Sequence, residues 1–182
     1  MTSTESERLR ALRLRALATD PEAFSSTYAE ASSRPLEEWQ HRAAFSEAGT
    51  LQRTFVVAGE DDTWLGMALV RLRKEDPGVA ALNAMWVAPE ARGAGAAKLL
   101  GDACAMGAAQ HGCAELTLGI FAGNVRARRA YEAAGFVFTQ EISWIRPDGT
   151  TADVQRMTRM LKDSAQHIGP GPGNKSTREV NT

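Results

Sequence analysis

Apolar and polar positions along the chain change period several times, and each change marks an element. "ERLRALRLRAL" (7–17) alternates Arg with Leu or Ala, a pattern that fits a first strand and also fits a helix. "TDPEAFSSTYAEAS" (19–32) reads as a helix start, with Asp20 as N-cap and Pro21 at the first helical position. "RPLEEWQHRAAFSEAG" (34–49) repeats that signature, from Pro35 to a stop at Gly49. Three strand-like runs follow, "TFVVAGE", "WLGMALVRLR" and "VAALNAMWV", separated by "DDT" and "KEDPG". A helix is expected from about Gly95 to Gly112, with Leu100, Ala103, Cys104, Gly107 and Ala108 on its apolar face. "ELTLGIF" is a further strand and "NVRARRAYEAAG" a further helix, and "FVFTQEISWIR" with "TADVQRMTRML" closes the chain as a pair around "PDG".

With the first segment taken as a strand, the order is strand, helix, helix, three strands, helix, strand, helix, two strands. That order is α/β in class. The three-strand block is a meander, so the sheet should be mixed. One right-handed crossover should join the strand near Ala84–Val87 to the strand near Glu115–Ile120. A single domain over 1–162 is expected, followed by a flexible tail over 163–182, because "GPGPGNKST" has too little apolar surface to offset its ordering entropy.

Composition narrows the function. The chain has 182 residues, 43% hydrophobic and 24% charged, which is ordinary for one globular domain. Lys and Arg number 21 against 22 for Asp and Glu, so a basic nucleic-acid footprint is absent. No apolar run approaches a membrane span, and the polar start does not resemble a signal peptide. The two cysteines, Cys104 and Cys113, make no disulfide framework, and the three histidines are scattered. Those features point to a reduced cytoplasmic setting and give a metal site no support.

The densest chemical signal is "VAPEARGAGAAKLL" (87–100), where a strand hands over to a helix through one Arg and two Gly. A tight structural turn is one reading. A dinucleotide fingerprint is a second, but Lys98 stands where a third Gly or Ala belongs and Glu115 falls at the wrong end of its strand. A phosphate-binding P-loop is excluded because Gly-Lys-Ser/Thr is missing. A third reading is a cradle of backbone N–H groups for an anion at a helix N-terminus.

Downstream, Asn124, Ala127, Tyr131 and Gly135-Phe136 stand as N-x-x-A-x-x-x-Y-x-x-x-G-F. Together with Arg92-Gly93-Ala94-Gly95-Ala96-Ala97, this resembles the GNAT superfamily of acyl-CoA-dependent N-acyltransferases, over a core from about Thr54 to Met160. The resemblance implies a mixed central sheet of about six to seven strands flanked by about four helices. It implies acetyl-CoA as co-substrate and an amine acceptor as partner, with no metal, and leaves a homodimer open. It assigns cofactor contacts to Met85, Trp86 and Val87 on the strand, whose bulge directs a backbone N–H at the thioester carbonyl. It assigns the pyrophosphate to residues Arg92, Gly93, Ala94, Gly95, Ala96 and Ala97, and a pantetheine hydrogen bond to Asn124. Tyr131 takes the catalytic role of proton donor to the departing thiolate.

At about 100° per residue, Asn124, Ala127, Arg128, Tyr131 and Gly135 share a helix face, while Arg126 and Arg129 point elsewhere. Arg128 on that face reads either as a cofactor-phosphate contact or as a solvated surface Arg. Many relatives place a general-base Glu on one of two central strands, but those strands here offer Asn83 and Gly119. The remaining candidates are Glu30, Glu37, Glu38, Glu141 and Asp153, or a chain of ordered waters. Cys104 and Cys113, on and at the end of a packed helix, speak against a covalent acyl-enzyme. The leading expectation is direct transfer of acetyl to a primary amine, and the alternative is a non-catalytic acyl-CoA sensor. The acceptor pocket should draw on Phe24, Tyr28, Trp39 and Trp144 with several acids, which suit a cationic amine such as a polyamine, an aminoglycoside or a protein lysine.

Overall fold

The computed structural model describes residues 2–146 and 149–161. The expected tail and the Pro147-Asp148 half of the last turn lie outside the described residues. The elements run α1 (Ser6–Thr19), α2 (Tyr28–Ser32), α3 (Leu36–Ala48), β1 (Gln52–Ala58), β2 (Trp64–Arg73), β3 (Asp76–Val87), α4 (Ala96–Gln110), β4 (Glu115–Phe121), α5 (Val125–Ala133), β5 (Val137–Ile145) and β6 (Thr151–Met160).

The first segment is a helix. Its Arg/Leu alternation breaks at Leu12, and Leu9, Leu12 and Ala16 then fall three and four residues apart on one buried stripe. The arginines between them bend back over aromatic rings, Arg8 4.4 Å from the centre of Trp64 and Arg13 4.2 Å from that of Phe24. The helix expected from Asp20 is also corrected. Pro21–Ala23 forms only one 3₁₀ turn, and the Asp20 side chain caps nothing. The next helix starts after Thr27, whose hydroxyl accepts from the Glu30 N–H at 3.1 Å while the Glu30 carboxylate accepts from the Thr27 N–H at 2.8 Å.

Six strands form one mixed sheet in the order β1-β2-β3-β4-β6-β5, so β6 inserts between β4 and β5. The meander β1-β2-β3 is antiparallel, β3 and β4 are parallel with α4 as their crossover, and β4-β6-β5 is antiparallel again. One core lies between α4 and the sheet, with Leu100, Cys104 and Ala108 packed on Val70, Leu82, Leu116, Leu118 and Met157. A second joins α1, Ala31 and Trp39 to Trp64, Met67 and Trp86. Ala103, expected on the buried face of α4, is only half-buried, and Ala105 is buried in its place.

Two features of the sheet position the site. The β3–β4 ladder has three rungs, Val79–Glu115, Ala80–Leu116 and Ala81–Thr117, although the strands run on to Val87 and Phe121. Beyond the third rung the strands part. On its other side β3 is irregular, because Met67 pairs with Trp86 but Leu69 with Asn83. The extra residue sits at Ala84–Met85, and Ala84 takes the left-handed value φ 52. For a residue with a Cβ that conformation costs ~1 kcal/mol or more, so the bulge is held by its surroundings.

Candidate active site

The gap between the parted strands opens into a cavity of about 610 Å³, within the range of ordinary small-molecule sites. Its sheet wall includes Leu82–Met85 and Leu118–Phe121 of the parted strands, with Met67, Ala68, Leu69 and Arg71 of β2 beside them. Asn124, Ala127 and Tyr131 of α5 face it, and α1 and α3 contribute Arg13, Trp39 and Arg42.

Tyr131 is held by edge-on packing against Phe136, with ring centres 5.6 Å apart. Its hydroxyl has no hydrogen-bond partner among the described residues, and burial, aided by the nearby Cys104 thiol, pushes the phenol above its usual pKa. The side chain therefore carries its proton throughout the neutral range. Asn124 is the N-cap of α5: its Oδ1 accepts from the Ala127 N–H at 3.0 Å, which leaves its amide hydrogens at the cavity.

The turn between β3 and α4 has an open geometry. Gly93 and Gly95 take φ 82 and 84, and a Cβ built on either would have no atom within 4 Å. Gly95 is the N-cap of α4 and offers no side chain to its first N–H groups, and no acid lies in the first turn. The 15-residue helix thus presents unsatisfied donors and the positive end of its dipole beside two side-chain-free positions.

Arg92 points inward from this turn. Its Nε donates to the Val87 carbonyl at 2.9 Å and a terminal nitrogen donates to Asp20 at 2.5 Å. Asp20 also accepts from the Trp86 indole at 2.8 Å and from Arg126 at 3.2 Å. Burial alone would raise the Asp20 pKa, but these hydrogen bonds and the charge of Arg92 outweigh it and hold the carboxyl below its ordinary value. Arg126, off the Asn124–Tyr131 face of its helix, does not line the cavity and reaches Asp20 from an exposed position. Trp86 and Val87 are buried in the two cores, whereas Met85 reaches the cavity. Arg128 does not line the cavity. It donates to Glu132 at 2.9 Å and to Gln155 at 3.3 Å, beside Phe138.

The acids weighed as general base are elsewhere. Among the described residues no Asp or Glu lines the cavity, so Glu30, Glu37, Glu38, Glu141 and Asp153 are all outside it, while Asn83 and Gly119 are in the wall. Phe24, Trp39 and Trp144 line it as expected, but Tyr28 does not. Both cysteines are buried, and burial pushes the Cys104 thiol up to about 12, which removes it as a nucleophile. Sequence spacing held no sign of the arginines of α1 and α3, because they converge from separate elements. Among the described residues no helix is long and apolar enough to cross a membrane.

The same arrangement recurs in known proteins. A GNAT-family acetyltransferase from Streptococcus pneumoniae superposes with TM-score 0.74 at 19% identity, covering 89% of this chain and 96% of that one. A putative acetyltransferase from Salmonella typhimurium, solved with its cofactor acetyl-CoA, gives 0.71 at 15% identity over 94% and 95%. Spermidine N-acetyltransferase from Vibrio cholerae, in complex with CoA and spermine, gives 0.71 at 17% over 90% and 94%. At such identities the likeness concerns the fold. No curated protein matches in sequence. The sequence model of the Acetyltransferase (GNAT) family matches residues 15–136, from within α1 to the end of the turn after α5, and the chain belongs to that family of acetyltransferases.

Proposed function

We propose that this acetyltransferase moves the acetyl group of acetyl-CoA directly to a primary amine. The observation that carries this reading is the meeting, in one cavity, of parted strands, an unpartnered Tyr131 hydroxyl and the cavity-lining Asn124, all joined by β3 to the uncapped start of α4. Acetyl-CoA supplies an acyl group already activated as a thioester, so the protein has to position, polarise and protonate.

In this reading residues Gly93 to Ala97 hold the pyrophosphate. The open space at both glycines lets a phosphate approach the backbone, and the first N–H groups of α4 have no competing side chain. Arg92 acts behind the turn by fixing Val87 and Asp20. The free edge of β3 at Met85, Trp86 and Val87 offers backbone groups to the amides of the cofactor arm, with the Asn124 amide hydrogens reaching the same arm. The bulge at Ala84–Met85 leaves an N–H outside the ladder, suited to the thioester oxygen as charge develops on it. Tyr131, kept protonated by burial, gives its proton as the C–S bond breaks. Support for the co-substrate comes from the Salmonella and Vibrio structures, which hold acetyl-CoA and CoA.

The absence of a carboxylate from the described cavity wall favours one other reading, a module that binds acyl-CoA without turnover. Calorimetry with acetyl-CoA together with release of free CoA across a panel of amines separates the two. Release with any amine establishes transfer, and tight binding with no release for any amine establishes the sensor.

A further inference from the structure

The charged groups lining the cavity are all of one sign. Arg13 of α1, Arg34 before α3, Arg42 of α3 and Arg71 of β2 face it, and no acid does among the described residues. Their partners leave much positive charge and several donors unspent. Arg34 and Arg42 share one oxygen of Glu38, at 3.6 and 2.8 Å, and Arg71 donates only to the neutral Gln52, at 3.1 Å. Arg13 donates one terminal nitrogen to the Ser26 hydroxyl at 2.7 Å, and its other terminal nitrogen is buried without a partner among the described residues. Trp39, only 3% exposed, lines the same wall, and its indole N–H is buried without an acceptor among the described residues.

Buried donors left unpaired cost more than a hydrogen bond made, and a guanidinium left without an anion costs more again. Burial, with Arg34 and Arg42 adding like charge, holds the Arg13 guanidinium down at about 10. The uniform positive charge of this wall calls for an anionic group rich in acceptor oxygens. A carboxylate matches the guanidinium fork in geometry and charge. A polycation meets like charge at every charged position of the wall.

We propose that Arg13, Arg34 and Arg42, beside Trp39, form the acceptor subsite, and that the acceptor is a small amine carrying a carboxylate. This rests on the acetyltransferase reading above. The same cations disfavour the ammonium form of the bound amine, so they help supply the neutral nitrogen for which the wall has no base. In the transfer the nitrogen bonds the acetyl carbon and gives up one proton to water. The C–S bond breaks, and the sulfur leaves with one proton gained. The carboxylate is unchanged.

The test uses the full chain and measures CoA release with the common L-amino acids, each paired with its carboxamide, and with spermidine as the polycationic probe. The expected result is that the best acceptor carries a free carboxylate and that its amide loses about 10²-fold in kcat/KM. Arg42→Ala, on an exposed stretch of α3, should raise KM for that acid about tenfold or more with acetyl-CoA affinity kept, and with a much smaller change for the amide. Arg13→Lys, which keeps the charge and loses the fork, should do the same, with circular dichroism confirming the fold. CoA release with spermidine or with the amides, at kcat/KM equal to or above that of the acids, overturns the subsite and leaves acetyl transfer standing. No release from any amine by protein that binds acetyl-CoA overturns both.

Discussion

The two sides of the cavity are made of different materials. Toward the β3–α4 turn the working groups are backbone: parted strand edges, a bulge at Ala84–Met85 and the open N-terminus of α4. Toward α1 and α3 they are long charged side chains, Arg13, Arg34 and Arg42, over Trp39. Backbone donors keep their position whatever the neighbouring side chains are, so that side suits a ligand common to many enzymes. Guanidinium groups are set by individual residues, so the other side can be rewritten one substitution at a time. That contrast matches the proposed reading of one end as general cofactor site and the other as particular acceptor site.

Tyr131 stands at the junction, and removing its hydroxyl should give the largest effect. Tyr131→Phe keeps the ring against Phe136 and removes only the hydroxyl, so kcat should fall about 10²–10⁴-fold with acetyl-CoA affinity nearly unchanged. Steady-state kinetics with calorimetry checks this, and a wild-type kcat would dissolve the junction. Gly95→Val tests the backbone side alone. At φ 84 a β-branched residue is strained by ~1–3 kcal/mol, and its side chain occupies the open space, so acetyl-CoA should bind about ten to a hundred times more weakly. Acceptor KM should hold; a parallel loss there would mean that the two sides are not separable.

The tie between the sides is Asp20, and its removal should act on stability. Asp20→Ala leaves Trp86, Arg92 and Arg126 without their shared acceptor and should cost ~1.5 kcal/mol in urea unfolding. The Asp20 pKa is lowered in the folded chain. Its contribution is therefore fully present above the ordinary carboxylate pKa of about 4 and is lost as pH falls through the lower folded value. Asp20→Asn should flatten that acid limb of the stability curve, and an unchanged limb would remove the tie. The smallest effect belongs to Arg128, which is engaged by Glu132 and Gln155 outside the cavity. Arg128→Ala should weaken acetyl-CoA and its 3′-dephospho analogue equally, by less than about threefold. A loss confined to acetyl-CoA would extend the cofactor side to that phosphate.

The same contrast explains what could be read from the sequence. The glycine turn and the Asn124-to-Phe136 segment are each continuous in sequence, so their residues could be matched to a family pattern, and the strands of the meander appeared as apolar runs of the right length. The bulge expected on β3 is present at Ala84–Met85. The arginine side was hidden because Arg13 and Arg42 lie on different helices and meet only through packing. Within α1, the alternation of Arg with Leu obscured a helical stripe that Leu9, Leu12 and Ala16 settle by burial. Asp20 before Pro21 had the local form of a cap. Three donors from residues 86, 92 and 126 won the competition for its carboxylate. The place of β6 between β4 and β5 was equally out of reach, because a closing hairpin can add to a sheet by either of its strands.

The short β3–β4 ladder has a further consequence. Where the strands part, each keeps a rim of backbone donors and acceptors satisfied from one side only, and at the border of a sheet such a rim is a template for pairing with other chains unless it is blunted or covered. Here the two rims lie in the middle of the sheet and face each other across a crevice. The protein thereby places adhesive backbone inside the sheet, away from the outer edges where other chains would pair with it.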